Sequence, residues 1–247
     1  MKNIMDIDLD YLCLGCGGCE TICPVDAIKM ELRNNVYMPN VDEEKCISCD
    51  KCLDGCPGLS KSLVDVERFI NNLFSKNDFL KEDFVLGKYL SNYLAYSTDN
   101  NLRYSAASGG LCSSILIYLF EKGIIDGAVV TKMNENDKTK SETFIAQSKE
   151  EIIIARTSKY CPTHPLSALK KLKNYKNNEK FAFVGLPCQI NGLRRLQAQE
   201  KWLKDKIILS IGLFCTHTVD YSGTKMILDK LALGQKNLKE IKYRGNG

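Results

Sequence analysis

Two runs of cysteine constrain this chain more than anything else in it. CLGCGGCETICP begins at Cys13 and CISCDKCLDGCP at Cys46, and both fit the pattern CxxCxxCxxxCP. The 247 residues hold 12 cysteines, and eight of them lie in these two runs. A secreted disulfide scaffold is one way to use so many thiols. The N-terminus, MKNIMDIDLD, argues against it, because it is acidic and lacks the apolar core of an export signal. Tight CxxC spacing in a chain without such a signal points to metal. Zinc ribbons pair two CxxC knuckles across a long spacer, which would leave the third cysteine of each run surplus. Three thiolates at this spacing instead fit three corners of an iron–sulfur cube, whose fourth ligand comes from elsewhere.

In the two-cluster bacterial pattern, the cysteine before the proline serves the other cluster. One [4Fe–4S] cluster then takes Cys13, Cys16, Cys19 and Cys56, and the other takes Cys46, Cys49, Cys52 and Cys23. Gly15, Gly17 and Gly18 allow the first loop to fold tightly around sulfide, and Pro24 and Pro57 close the two loops. Residues 1–60 as a unit resemble a 2[4Fe–4S] ferredoxin domain. Between the runs the sequence predicts short strands around a turn at Asn34-Asn35. Such a domain carries single electrons and has no substrate pocket, so a second redox centre is expected in the rest of the chain.

That remainder reads differently. Val66, Phe69, Ile70, Leu73 and Phe74 follow helical spacing, and residues 61–84 are expected to form a helical linker. From residue 85 to 247, strands and helices alternate. The strands are YLAYST, IIDGAVVTK, ETFIAQS, KFAFVG, KIILSIGLF and LKEIKYRG. The helices run from Ser108 to Lys122, near 149–156, near 165–173, from Pro187 to about Gln197, and near 220–232. The fold class is therefore an α+β ferredoxin domain followed by an α/β domain with a mixed or parallel sheet. No apolar run approaches the roughly 20 residues of a membrane span, and the chain is expected to be soluble and cytoplasmic. Charge divides along the same line. Residues 1–60 carry 11 acidic and 5 basic side chains, and the remainder carries 19 acidic and 29 basic. The lysines of the body are not interleaved with aromatics, so nucleic acid is not an expected partner, whereas anionic cofactors suit it.

Three stretches of the body stand out. SAASGG, with Ser105, Ser108, Gly109 and Gly110, opens a helix, where it either offers free amides to phosphate or has Ser108 simply as the N-cap. GLPCQ, from Gly185, sits at the carboxyl end of a strand, where ligands of α/β sheets bind. GLFCTH places Cys215 and His217 at another strand end. His217 reads as a satisfied polar group or as one that orients a cofactor, and His164, in a turn beside Pro162 and Pro165, is expected to have no chemical role.

With TSKYCP and the terminal YRGNG, these motifs resemble the coenzyme F420 hydrogenase/dehydrogenase beta-subunit family over nearly the whole chain. The resemblance implies bound FAD, iron–sulfur centres and exchange of electrons with a two-electron hydride carrier, often coenzyme F420. It places Ser105, Ser108, Gly109, Gly110, Lys159, Tyr160, Gly185, Pro187, Cys188 and Gln189 near the flavin, with Arg103 and Lys159 as partners for phosphate. Cys161, Cys188 and Cys215 become candidates for a third cluster, with Cys112 as a fourth thiol. No acid or base is assigned, since hydride transfer to a flavin needs positioning above all. The implied protein partner is a hydrogenase, a dehydrogenase or a ferredoxin. Family members usually continue past YRGNG, so the resemblance also implies a chain that lacks the usual C-terminal region. Two other readings stay open. One is a ferredoxin-fed flavin reductase of another organic metabolite, for example in polysaccharide biosynthesis. The other is a non-catalytic electron-transfer subunit.

Overall fold

The computed structural model describes residues 3–59, 81–85, 87–234 and 238–244. The helix expected at 61–76 lies outside them.

The two cysteine runs adopt the same local backbone. The first passes Gly15 and Gly17, both at positive φ, into helix α2 (Gly18–Ile22), which follows the short α1 (Leu9–Leu12). The second passes Ser48 and Asp50, at φ 51° and 59°, into α3 (Lys51–Asp54). Ser48 and Asp50 stand two and four residues after Cys46, as Gly15 and Gly17 do after Cys13. Non-glycine residues seldom hold this conformation, which costs on the order of 1–3 kcal/mol each unless the surroundings impose it. The loop shape therefore recurs where the residue type does not favour it. Between the runs, β1 (Ile28–Arg33) and β2 (Val36–Val41) pair antiparallel across Asn34 and Asn35, both left-handed. That is the twist-matched two-residue hairpin turn that Asn tolerates.

The body is built on a four-stranded mixed sheet. Strands β3 (Lys81–Asp83) and β4 (Gly87–Tyr89) form a separate small ribbon. In the main sheet, β5 (Gly127–Met133), β6 (Ser141–Ala146), β7 (Phe181–Gly185) and β8 (Ile207–Gly212) take the order β6-β5-β7-β8. β5 pairs antiparallel with β6 and parallel with β7, and β7 pairs parallel with β8. The strand alternation of period two sorts the core. Val129, Phe181 and Phe183 point to one face, with Leu166, Leu169, Leu172, Leu193, Leu196 and Leu203. Ala128, Val130 and Ala182 point to the other, with Leu116, Ile117 and Ile152. The second face is covered by α4 (Asn100–Ser105), α5 (Leu111–Glu121) and α6 (Lys149–Ile154).

The first face carries the cysteine-rich unit itself. Ile4, Ile7, Cys16, Ile22, Cys23, Ile28 and Cys52 belong to the same buried cluster as the leucines of the body. The leucines come from a 3-10 helix (Pro165–Asn174), from α7 (Pro187–Gln199) and from α8 (Lys201–Lys206). Polar contacts seal the junction. Leu166 N–H donates to Cys16 O at 3.0 Å, Thr21 Oγ1 donates to Leu166 O at 2.6 Å, and Ser167 Oγ donates to Glu20 Oε2 at 2.8 Å. Asp26 pairs with Lys170, and Lys51 with Glu200. Thr21 is buried. Thr21→Val is therefore expected to lower unfolding free energy by about 1–3 kcal/mol, because it strips the Leu166 carbonyl of its hydroxyl partner. Denaturant unfolding under nitrogen reads this directly.

Several expectations need correction. YLAYST forms no strand. Tyr93 and Leu94 stand exposed and unpaired by any sheet edge among the described residues, and Ser97 N–H bonds Gly109 O instead. Residues 238–244 of LKEIKYRG are likewise not a strand. The segment near 165–173 is helical but 3-10 rather than α. Leu166, Leu169 and Leu172 are all fully buried, and three residues per turn puts that spacing on one face. The helix expected from Ser108 begins only at Leu111, because Gly110 takes φ 72° as its N-cap. The short helices α4 and α8 fall outside the expected elements. The final helix, α9 (Tyr221–Lys230), falls where expected.

Candidate functional site

The fold gathers the eight cysteines of the runs around two cavities. Cys13, Cys16, Cys19 and Cys56 line one, with Ile4 and Ile7. Cys23, Cys46, Cys49 and Cys52 line the other, with Ile28 and Ile47. The division is the crossed one, in which each run lends its last cysteine to its neighbour. All eight thiols are free. Burial pushes the Cys16 thiol up to about 12 and Cys52 to about 11. It also raises Cys13 and Cys56, and Cys19 well above its ordinary value. Buried thiols with several like neighbours stay protonated unless a cation joins them, and iron supplies that charge. Among the described residues, no three His, Cys, Asp or Glu side chains close on a single ion-sized point. Four thiols around each cavity match the ligand count of a [4Fe–4S] cluster. The residues present therefore fit two [4Fe–4S] clusters. Backbone amides already point at the sulfurs, with Ala27 N–H 3.2 Å from Cys23 Sγ and Gly15 N–H 3.5 Å from Cys13 Sγ.

The candidates of the body fall into two groups. The first surrounds the start of α5. No side chain caps this helix, and Ser108 is exposed beside its first turn. Ser105 O accepts from Arg156 Nε at 3.3 Å. Gly109 is explained locally, since a methyl there would sit 3.0 Å from Tyr96 Cβ. Lys159 does not reach outward. Its ammonium donates to the carbonyls of Ala155, Arg156 and Thr157 at 2.5, 2.7 and 3.0 Å, and burial pulls its pKa down to about 8. Arg103 lies over the Tyr96 ring, 3.9 Å from its centroid. Lys159 and Arg103 thus engage the protein itself. Cys112 and Cys161 both feel the Lys159 charge, and Cys161 also meets Ser141 and Tyr243. Tyr160 packs edge-on to Tyr243 at 5.8 Å.

The second group sits at the carboxyl ends of β7 and β8. Leu213 N–H donates to Gly185 O at 2.9 Å and ties the two strand ends together. Pro187 opens α7, and Gln189 spans from Leu186 N–H to Thr163 Oγ1. Cys188 raises the pKa of Cys16 on one side and is itself raised by Cys215 on the other, after burial in each case. Of the three thiols considered for a third cluster, Cys188 and Cys215 lie at the neighbouring ends of β7 and β8, while Cys161 belongs to the first group. His217 is exposed and pairs with Thr216, and His164 packs on Tyr37 at 4.2 Å. Tyr243, Ser141 and Thr163 are not singled out by the sequence. They lie far from their partners along the chain, and only Tyr243 falls in a noted motif.

Family models match three stretches of the chain. A model of the 4Fe-4S dicluster domain matches residues 12–58, which hold all eight run cysteines. Models of the coenzyme F420 hydrogenase/dehydrogenase beta subunit match residues 92–170 with its N-terminal part and residues 178–247 with its C-terminal part. The chain belongs to the coenzyme F420 hydrogenase/dehydrogenase beta-subunit family. Within that family it is 31% identical to the coenzyme F420 hydrogenase subunit beta of Methanosarcina barkeri, over 65% of this chain and 57% of the relative. It is 30% identical to a subunit of the F(420)H(2) dehydrogenase of Methanosarcina mazei, over 93% of this chain and 59% of the relative. A chain in the solved structure of the F420-reducing [NiFe] hydrogenase complex from Methanosarcina barkeri superposes with a TM-score of 0.59 at 26% identity. That match covers 66% of this chain and 57% of that one. This member of the family thus spans under three fifths of these relatives. Its two groups of candidate residues map onto the two family halves, the SAASGG group on the first and the GLPCQ group on the second. Among the described residues no helix is long and apolar enough to cross a membrane.

Proposed function

We propose that the chain is an iron–sulfur oxidoreductase subunit that exchanges single electrons at two [4Fe–4S] clusters and pairs of electrons with coenzyme F420. The observation that carries this reading is the crossed gathering of eight thiols into two cavities, with Cys16 of one set buried among the leucines of the body. Cys13, Cys16, Cys19 and Cys56 would hold the cluster beside the body, and Cys23, Cys46, Cys49 and Cys52 the other. FAD, when bound, supplies the conversion between single electrons and a hydride, which is two electrons and a proton. The uncapped amides of α5 and exposed Ser108 suit its phosphates, and the GLPCQ turn suits the ring end beside Cys188. The reading is supported by the family membership and by the cationic body. An outside redox protein, a hydrogenase, a dehydrogenase or a ferredoxin, would exchange electrons with the clusters.

The test is an oxygen-free preparation assayed for iron, sulfide and flavin, then reduced and mixed with F420. Loss of the F420 absorbance in step with reoxidation of the clusters is the expected result. Iron and sulfide without flavin would make the chain a non-catalytic electron-transfer subunit. Flavin reoxidised by another metabolite but not by F420 would make it a reductase of that metabolite.

A further inference from the structure

The two cysteine sets are near copies in sequence, yet they are not equally covered. Of the eight thiols in the runs, only Cys49 is exposed. Ile47, Ser48 and Asp50 are exposed with it, Ile47 to 60%. Ile47 and Cys49 line the cavity of the outer set, formed by Cys23, Cys46, Cys49 and Cys52, so that set meets solvent here. In the other set, Cys16 is buried in one apolar cluster with the leucines of the body. Charge surrounds the exposed loop. Residues 42–54 carry five acidic and two basic side chains. Both lysines are already paired, Lys45 with Asp42 at 2.6 Å and Lys51 with Glu200 at 2.8 Å. Glu43, Glu44, Asp50 and Asp54 are all exposed and have no ion pair among the described residues. Asn3, which lines the same cavity, holds Glu43 beside it at 3.1 Å. An exposed apolar residue at a redox site, rimmed by charge of one sign, has the make-up of a protein docking patch.

We infer that the face bearing Ile47, Cys49, Glu43, Glu44, Asp50 and Asp54 is the docking surface for a one-electron redox protein whose own centre is ringed by lysine or arginine. Electron transfer between proteins falls off steeply with distance, and Cys49 is where a partner comes nearest to the outer set. Opposite charge speeds the encounter and fixes its orientation. One electron passes between the partner's centre and the outer cluster, with no bond made and no proton moved. The inference rests on the two-cluster reading proposed above.

The experiment uses the full chain under nitrogen, with cytochrome c, whose haem edge is ringed by lysines, as the probe. The clusters are reduced with dithionite, the excess is removed, and reduction of the haem is followed by stopped flow. Carbodiimide cross-linking of the two oxidised proteins, mapped by mass spectrometry, locates the contact without any turnover. Glu44→Gln/Asp54→Asn removes two carboxylates of the face. Glu121→Gln/Glu150→Gln removes two from α5 and α6, which cover the opposite side of the sheet. At low ionic strength the first variant is expected to react about tenfold more slowly than wild type, while the second should match wild type. All three should converge near 1 M salt, where screening sets in within about 3 Å. Cross-links should fall on residues 42–54. Equal loss in both variants, a rate indifferent to salt, or cross-links confined to the body would overturn the inference alone. A wild-type preparation without iron would instead overturn the two-cluster reading beneath it.

Discussion

Replacing Cys16 and Cys56 together by alanine is expected to leave about four iron atoms per chain, whereas replacing Cys16 and Cys23 together is expected to leave almost none. Wild type should carry about eight, the content of two four-iron clusters. The contrast follows from the crossed cavities. Cys16 and Cys56 lie 40 positions apart but line one cavity, while Cys16 and Cys23 share a run but line different ones. A cube held by four thiolates is lost when any one of them is removed. Removal of a second ligand from a cluster already lost costs no further iron. Iron and sulfide analysis after oxygen-free purification reads the result without any assay of turnover. Four iron atoms remaining in Cys16→Ala/Cys23→Ala would mean that each run keeps its own cluster, and the crossed assignment would fail.

The cysteine-rich part was legible because its chemistry is written in spacing. Three thiols at fixed offsets leave few possible loops, and the hairpin between the runs is marked by Asn34-Asn35. The sheet was legible for the same kind of reason, since GAVVTKM and FAFVG are short apolar runs set between turn residues. What failed was local sequence without a partner. YLAYST has strand composition, but a strand is defined by the neighbour it bonds, and among the described residues no sheet edge lies beside it. The segment near 165–173 read as a helix, while the choice of the tighter 3-10 turn depends on what packs against the face of Leu166, Leu169 and Leu172. The body's candidate site was legible as motifs and not as geometry. Nothing in the sequence says that Cys161 sides with Tyr243 and Lys159 while Cys188 and Cys215 stand at the neighbouring ends of β7 and β8. Nor does it say that Lys159 spends its ammonium on three carbonyls of its own segment. Those outcomes depend on how distant segments meet.

The shared core leads to the second large effect. Leu166→Ala is expected to lower unfolding free energy by about 2–5 kcal/mol, a substantial part of the roughly 5–15 kcal/mol that holds a typical domain. Leu166 is fully buried at the junction, facing Gly18 of the first cysteine run and Gly192 of α7. Its backbone is held on both sides, by Cys16 O and by the Thr21 hydroxyl, so the chain there resists collapse into the space that the leucine leaves. Ile208→Ala is the comparison. Ile208 is nearly half exposed on an edge strand, and its loss should fall within about 0.5 kcal/mol. Because thiols and leucines occupy one buried cluster, loss of the visible iron–sulfur signal and loss of helical circular dichroism should coincide across a denaturant series in both proteins. In Leu166→Ala both should move to lower denaturant together. An iron–sulfur transition that shifts while the helical signal of the body stays at its wild-type midpoint would show two autonomous domains, and the continuous core between cysteine unit and sheet would then have no energetic standing.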